Sequence, residues 1–293
     1  MAKDKTKPRP ELNAKREMLR QQQATERAKR RRRLAINWLI GIVIVGLVVA
    51  GITAVVWHVK AGERALAIDG KASVQQITPT NATSDGLAIL ANPGVTLASD
   101  AITVDVHVDY QSTASIAAMQ YYDTALSSLA SEGKIKLLYH LHISLDDTYA
   151  NTASGRAAEA STCADTVGAF LAYNRAVFNA APTSPTSGSV GFTDSQLQTD
   201  FTSAASITGD DLKAFKTCYT SRATSAFIKA MDSGNQTTAI PDNTTYASGI
   251  TTAPVILANN KTVDISTDIS NSTSSHADET ALLTLLQTTI SAT

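Results

Sequence analysis

The chain has 293 residues and a formal net charge of −1 at pH 7, but this average conceals two very different parts. The first 33 residues carry thirteen Lys and Arg residues against four acidic ones, so everything downstream is acidic on balance. Such a charged tail, rich in Gln and without aromatic side chains, cannot bury enough apolar surface to form a packed core. A basic block can also bind nucleic acid, yet its place before an apolar segment is typical of the cytoplasmic side of a membrane helix. We therefore expect a basic cytoplasmic tail over 1–33 and no nucleic-acid partner.

The segment from Leu34 to Trp57 contains 24 residues without a charge. As a helix it would be roughly 36 Å long, enough to cross a bilayer with some tilt. Trp38 and Trp57 lie near its two ends, where indole rings prefer the headgroup region. A cleaved signal peptide is the alternative, but the apolar run exceeds the roughly 7 to 15 residues usual in such peptides. We predict a single-pass anchor in the cell membrane, with the N-terminus cytoplasmic and the C-terminal part extracytoplasmic.

The outer part, about 230 residues, is long enough for one domain with its own core. Its first stretch, 58–85, is polar and lacks a sustained period, and we interpret it as a linker or stalk. Apolar and polar side chains then alternate from Ile102 to Tyr110, as in a half-buried strand. A helical pattern follows over Ser112 to Ser131, and a second strand over Ile135 to Ile143. Two strands joined in this way predict a right-handed parallel βαβ unit.

The rest of the outer part contains a block of helices and then a hairpin and a helix. Helical patterns fill most of residues 155–231, interrupted by one loop rich in Pro, Ser, Thr and Gly. Ala253 to Ala258 reads as a short apolar strand, and Asn259-Asn260 predicts a tight turn into a second strand, Thr262 to Ile265. An amphipathic helix from His276 to Ile290 closes the chain. This order predicts an α/β, thioredoxin-like fold with a helical insertion.

Two stretches of the outer part resemble DsbA-like thioredoxin domains. ITVDVHVDYQSTASIAAMQYYDTALSSLASEGKIKLLYHL resembles their start, where a strand ending in Asp-Phe-Gln runs into Cys-Pro-x-Cys at a helix N-terminus. TTAPVILANNKTV resembles their second motif, a Gly-Thr-Pro-Thr cis-proline loop that enters a β-hairpin. The resemblance covers roughly 86–293, the extent expected for the domain, and points to membrane-anchored members of the Gram-positive, actinobacterial type. It implies a thioredoxin-like fold and, for the family, protein-disulfide oxidoreductase activity.

The redox dithiol of the family is absent from the matching positions. Because Asp109-Tyr110-Gln111 match the residues before it, the motif falls on Ser112, Thr113, Ala114 and Ser115. A serine hydroxyl can neither form a mixed disulfide nor be resolved from one, so the redox activity does not carry over. Ser112 and Ser115 are therefore degenerate positions, and we expect no catalytic residue. In some related transferases a serine here stabilises a bound thiolate, but serine is also a favoured helix N-cap.

The second motif places the cis-proline position on Pro254, after Ala253 and before Val255. A proline at the start of a strand beside a helix N-terminus favours the tight turn of a cis peptide bond. In active relatives the groove at this place holds an extended polypeptide, so the resemblance implies a peptide-binding groove at Ser112, Thr113, Ala253 and Pro254. The partner we expect is an extended polypeptide or another envelope protein.

The two cysteines, Cys163 and Cys218, are 55 residues apart, outside any Cys-x-x-Cys turn, in the part where thiols are usually oxidised. The resemblance implies that cysteines in these two helices form a disulfide that staples the insertion. Closing such a loop would stabilise the fold by roughly 4 kcal/mol on the chain-entropy model. A redox switch at this pair is the alternative.

Histidines on the predicted strands, His107 and the alternating His140 and His142, are conceivable metal ligands. A lone histidine on a strand is more often a surface or core residue, and no ligand spacing supports a site. We expect neither a metal nor a cofactor. The favoured function is a membrane-anchored binding or scaffold module of the cell envelope. The alternative is an envelope thiol-disulfide oxidoreductase relative, or a serine-type thiol transferase, with atypical chemistry.

Overall fold

The computed structural model describes residues 75–181, 191–272 and 274–292. The predicted tail at 1–33, the predicted membrane helix from Leu34 to Trp57 and most of the predicted linker lie outside these residues. Within the described ranges, no helix combines the length and apolar character that a membrane crossing requires.

A mixed sheet of five strands, in the order β1-β3-β2-β4-β5, forms the centre of the described part. The strands are β1 (Ile89–Leu90), β2 (Ile102–Val108), β3 (Ile135–Leu141), β4 (Val255–Ala258) and β5 (Lys261–Thr262). β2 and β3 are parallel, with Ile102 opposite Ile135 and Val108 opposite Leu141, so the predicted βαβ pairing is confirmed. β4 runs antiparallel to β2, and β5 runs antiparallel to β4.

The helices of the described part fall into three sets. α1 (Thr113–Ser131) connects β2 to β3. The insertion contains α2 (Leu145–Tyr149), α3 (Ala153–Asp165), α4 (Phe170–Ala180), a π-helical turn (Gln196–Asp200), α5 (Phe201–Ala204), α6 (Gly209–Thr220) and α7 (Ser225–Thr237). After the hairpin come α8 (Ile265–Asn271) and α9 (Glu279–Ser291). The helical block therefore starts earlier and ends later than the predicted 155–231.

The turn of the hairpin has the predicted geometry. Asn259 and Asn260 have φ angles of 46° and 66°, the left-handed values that a two-residue turn of this kind requires. The strand predicted for Thr262 to Ile265 is wrong beyond its first residue. The Asp264 side chain accepts a hydrogen bond from the backbone N–H of Thr267, so it caps a helix that begins at Ile265.

The final helix also begins later than its apolar pattern suggests. The Asp278 side chain accepts a hydrogen bond from the backbone N–H of Ala281, so the helix starts at Glu279 and not at His276. Leu282 and Leu286, one turn apart, are the residues that this helix buries.

The two faces of the sheet are chemically different. On one face the alternate residues of β2 and β3 are apolar, and Tyr139 there contacts Met119 of α1 and Phe170 of α4. On the other face β2 presents Asp105 and His107, followed just beyond its end by Asp109, and β3 presents His140, followed just beyond its end by His142. This polar face is nevertheless buried, because the helices of the insertion cover it.

Candidate functional site

The hydroxyl of Ser112 connects the start of α1 to the loop before β4. Its Oγ accepts a hydrogen bond from the backbone N–H of Ser115 at 3.2 Å and so caps the helix. The same hydroxyl donates to the carbonyl oxygen of Ala253 at 3.0 Å. Because a hydroxyl carries one proton, its donor capacity is used by Ala253. The two segments that the sequence resemblance assigned to one groove therefore meet at this hydrogen bond.

The Ala253–Pro254 peptide bond is cis. Directly after it β4 begins, with Val255 opposite His107 of β2. Ala253 and Pro254 are half-buried, while Thr251 and Thr252 before them are exposed. The loop thus presents small, uncharged side chains to solvent.

The three residues after Ser112 point in different directions. Thr113 and Ala114, in the first turn of α1, are exposed beside Ser112. Ser115 is fully buried, and its hydroxyl accepts a hydrogen bond from the backbone N–H of Asp109 at 3.3 Å. Ser112 thus contacts the loop before β4, whereas Ser115 faces the interior.

A buried polar network lies between the end of β2 and the first helices of the insertion. The Asp109 carboxyl accepts hydrogen bonds from the Ser154 hydroxyl at 2.5 Å and from the backbone N–H of Gln111 at 2.8 Å. The Gln111 amide donates to Asp146 at 2.8 Å and accepts from the Asn151 amide at 2.7 Å. The chain just before Ser112 is thereby fixed to α2 and α3.

Burial controls the protonation of this network. Burial raises the pKa of Asp109 to about 7, against the lowering effect of hydrogen bonds from Ser154, Gln111 and Leu145. Burial likewise raises the pKa of Asp146 to about 6. No sequence motif marks these residues as a site. The sequence shows only that polar residues alternate along β2. The residues that form hydrogen bonds with Asp109 and Gln111 lie far along the chain.

The three strand histidines form a hydrogen-bonded and stacked group. His107 Nδ1 lies 3.0 Å from His142 Nε2, and the rings of His107 and His140 stack with centroids 4.0 Å apart. Two ring nitrogens at this distance share a proton, so these two cannot both ligate one metal. Across the described ranges, no group of three or more His, Cys, Asp or Glu side chains is arranged to hold a metal ion.

The two cysteines form a disulfide between α3 and α6. The Cα atoms of Cys163 and Cys218 are 5.7 Å apart, and these are the two cysteines of the whole chain. Cys163 is fully buried and Cys218 is 7% exposed. An ion pair between Arg222 and Glu159, 2.7 Å long, crosses between the same two parts of the insertion. The disulfide thus lies within the insertion, and neither cysteine belongs to the segment from Ser112 to Ser115.

The protein is similar to known proteins in structure, and no match was found by sequence. No protein-family model matches the chain, and no curated protein matches it in sequence. Among solved structures, the thiol-disulfide oxidoreductase MdbA of Actinomyces oris superposes with a TM-score of 0.51 at 15% identity, covering 72% of this chain and 91% of that one. The fold is thioredoxin-like.

Two further solved structures show weaker likeness. The reduced disulfide bond oxidoreductase DsbG of Mycobacterium tuberculosis gives a TM-score of 0.48 at 16% identity, with 70% of this chain and 88% of that one covered. MdbA of Corynebacterium diphtheriae gives 0.48 at 13% identity, with 66% and 91% covered. The chemistry of the site therefore has to be argued from its own residues.

Proposed function

We propose that this protein is a thioredoxin-like binding or scaffold module of the cell envelope that lacks a redox dithiol and binds an extended polypeptide. The groove comprises Ser112, Thr113, Ala253 and Pro254. The observation that carries the proposal is the hydrogen bond from the Ser112 hydroxyl to the Ala253 carbonyl. It holds the helix start and the cis-proline loop together without a thiol.

The chemistry available at the groove supports binding over disulfide exchange. Exchange requires a thiolate that attacks a disulfide sulfur. Both cysteines of the chain are consumed in the disulfide of the insertion, and the Ser112 hydroxyl is engaged as donor and acceptor. The alternative is an envelope thiol-disulfide oxidoreductase relative, or a serine-type thiol transferase, with atypical chemistry. The name of the superposed Actinomyces oris protein supports an oxidoreductase, which here would have to use the Cys163–Cys218 disulfide. The buried position of Cys163 argues against it.

The groove surface suits a ligand recognised mainly through its backbone. Its exposed side chains are short and uncharged: Thr113, Ala114, Thr251 and Thr252. Such side chains leave the loop backbone accessible and add hydroxyl groups that donate or accept hydrogen bonds. Because the Ala253 carbonyl is already bonded to Ser112, a ligand would pair with N–H groups and threonine hydroxyls. We infer a preference for extended segments without bulky charged residues.

The cellular setting in the proposal comes from the sequence. The apolar run from Leu34 to Trp57 would anchor the protein, and the basic residues before it would hold the N-terminus in the cytoplasm. The groove would then act outside the membrane. Protease added to intact spheroplasts tests this, because it should remove the C-terminal domain and spare a fragment of about 60 residues. A C-terminal domain that survives this treatment would overturn the proposed topology.

Binding is tested with the full-length protein in detergent and a panel of fluorescent, unstructured peptides. Wild type should bind a subset of uncharged peptides, measured by anisotropy. Thr252→Arg should weaken that binding at least about tenfold, because a long charged side chain fills the groove. Thr217→Arg, at an exposed position on α6, is the matched control and should bind as wild type does.

Two results would contradict the proposal. One is binding that Thr252→Arg leaves unchanged, which would place the ligand elsewhere. The other is turnover in an insulin-reduction or scrambled-substrate oxidation assay above that of a heat-denatured sample. Such turnover would favour the oxidoreductase alternative.

A further inference from the structure

A row of three histidines lies buried on the polar face of the sheet, beneath α7. His107 on β2 is opposite His140 on β3, and their rings stack with centroids 4.0 Å apart. His142 follows β3, and its Nε2 lies 3.0 Å from His107 Nδ1. The exposed fractions of His107, His140 and His142 are 0%, 8% and 1%. We call these three residues the histidine row.

Its outer member His140 faces two hydrogen-bond acceptors. The Nε2 atom lies 2.9 Å from Asp105 Oδ1, and the Nδ1 atom lies 3.0 Å from Asn235 Oδ1. The Asn235 amide nitrogen donates to the Leu87 carbonyl at 3.0 Å, which fixes the amide orientation. Both ring nitrogens of His140 therefore lie within hydrogen-bonding distance of oxygen atoms, one on β2 and one on α7.

The other outer member, His142, faces α7. Its Nδ1 lies 3.3 Å from Asp232 Oδ1, and Asp232 also accepts hydrogen bonds from the Ile143 backbone and the Gln236 amide. Burial raises the pKa of Asp232, but these hydrogen bonds outweigh burial and hold that pKa below its ordinary value. The carboxylate thus stays ionised beside His142 and links the end of β3 to α7.

The central member, His107, cannot accommodate a positive charge while α7 covers the row. Its Nε2 atom is buried and has no hydrogen-bond partner. Protonation of His107 would create a buried cation between His140 and His142, with one N–H lacking an acceptor. Burial lowers the pKa of His107 well below its ordinary value, and His140 and His142 lower it further. His107 is therefore neutral in the closed structure.

The histidine row is directly connected to the Ile250–Pro254 segment, the loop before β4. His107 is the cross-strand neighbour of Val255, the residue after Pro254. The Asn235 carbonyl, at the end of α7, accepts a hydrogen bond from the backbone N–H of Ile250 at 2.8 Å. Ile250 and Val255 also pack together in a small apolar cluster with Leu257. Displacement of α7 would thus remove the Asn235–Ile250 hydrogen bond, which holds the start of the Ile250–Pro254 segment on this side.

We propose that the histidine row is a proton-sensitive contact that releases α7 and the Ile250–Pro254 segment as the surroundings become acidic. When α7 lifts from the sheet, His107 meets water and can take up a proton at its ordinary pKa of about 6.5. In the closed state it cannot. Because the pKa of His107 is lower in the closed state, the open state binds the proton more tightly. A fall in pH therefore favours the open state. One such group raises the opening constant about tenfold between pH 7.5 and 5.5.

The charged groups around the row do not cancel this effect. Asp105 and Asp232 are paired with the outer histidines, and Asp85, before β1, is a more exposed carboxylate whose pKa is lowered chiefly by its hydrogen bond from Thr83. Asp109, next on β2, has a raised pKa and responds to acid in the opposite sense. Its hydrogen-bond partners, however, lie in the network with α2 and α3 and not on α7. The acid response should therefore be localised to α7 and the loop after it.

Hydrogen–deuterium exchange of the full-length protein tests the proposal, with rates corrected for the intrinsic effect of pH. The opening constant of segments 225–237 and 250–255 should rise about tenfold from pH 7.5 to 5.5, while that of α9 rises much less. His107→Phe keeps an aromatic ring without a titrating nitrogen and should abolish the difference. His276→Phe, at an exposed histidine outside the row, is the control and should keep it. An unchanged response in His107→Phe would overturn the proposal.

A second measurement on wild type does not depend on a variant that folds. Nitrogen NMR of the imidazole rings should show His107 neutral down to pH 5.5, whereas free imidazole is protonated there. Protonation of His107 in the closed protein with the midpoint of free imidazole would refute the mechanism. The consequence for ligand binding rests on the proposed function, but the opening itself does not. Loss of peptide binding with an intact exchange response would therefore refute the proposed function alone.

Discussion

Replacement of Ser112 gives a quantitative test of how the groove is held together. Ser112→Ala removes a helix N-cap, which costs about 1 kcal/mol, and the hydrogen bond to the Ala253 carbonyl, which contributes about another 1 kcal/mol. Because the two losses occur at one side chain in separate contacts, we expect the free energy of unfolding to fall by about 2 kcal/mol. With an m-value of about 2 to 3 kcal/mol per molar urea, the midpoint should shift by about 0.7 to 1 M.

An isosteric pair of variants separates the two contributions. Ser112→Asn keeps a capping oxygen and an N–H donor for the Ala253 carbonyl, so it should be nearly neutral. Ser112→Asp also caps the helix, but its carboxylate has no donor and lies against the carbonyl oxygen. Ser112→Asp should therefore be less stable than Ser112→Asn by about 1 kcal/mol or more. Faster hydrogen exchange confined to residues 251–255 should accompany the loss.

Two results would refute this account of the groove. A fall of less than about 0.5 kcal/mol for Ser112→Ala would mean that the hydroxyl is no more than an ordinary surface group. Equal stability of the Asp and Asn variants would mean that the contact with Ala253 contributes nothing to the closed loop.

Three further predictions concern the disulfide, the buried Asp109 and the introduction of a cysteine pair at the start of α1. Replacing both Cys163 and Cys218 by Ala should lower the free energy of unfolding by roughly 4 kcal/mol, measured by urea denaturation. A loss below about 1 kcal/mol would contradict the stabilising role of the disulfide. Because folding raises the pKa of Asp109 to about 7, its contribution to stability is present in acid and is lost as pH rises towards 7. Asp109→Asn should therefore lose less stability than wild type between pH 5 and 8, and identical pH profiles would contradict this. The double variant Ser112→Cys with Ser115→Cys should form a disulfide on mild oxidation and gain measurable oxidase activity. If the two new thiols have pKa values of about 8.5 and form no disulfide, the site lies elsewhere.

The sequence was sufficient where a pattern is local. Strict alternation predicted β2, because side chains on a strand point to opposite faces in turn. The turn at Asn259 and Asn260 was predictable because asparagine tolerates positive φ better than most residues. Local signals also misled. An apolar alternation over 262–265 resembled a strand, but Asp264 acts as a helix cap there.

The buried polar contacts were beyond prediction from sequence alone. Ser154 lies 45 residues after Asp109, and Asp232 lies 90 residues after His142, so no short motif marks them. Which side of a polar strand faces solvent also depends on what covers it. The burial of the histidines on β2 and β3 is not predictable from sequence, because it depends on where the insertion packs. The membrane anchor from Leu34 to Trp57 stays a prediction.

The disulfide between Cys163 and Cys218 also determines the products of a single backbone cleavage between them. Every residue between them belongs to a covalently closed ring, so one cut there opens the ring but separates no piece from the protein. Without a reducing agent, a molecule nicked in this region should migrate as one species in denaturing electrophoresis. With a reducing agent it should give two. Under the proposed location in the cell envelope, a protease could cleave that stretch once while the sheet, α1 and the loop before β4 remain parts of one molecule.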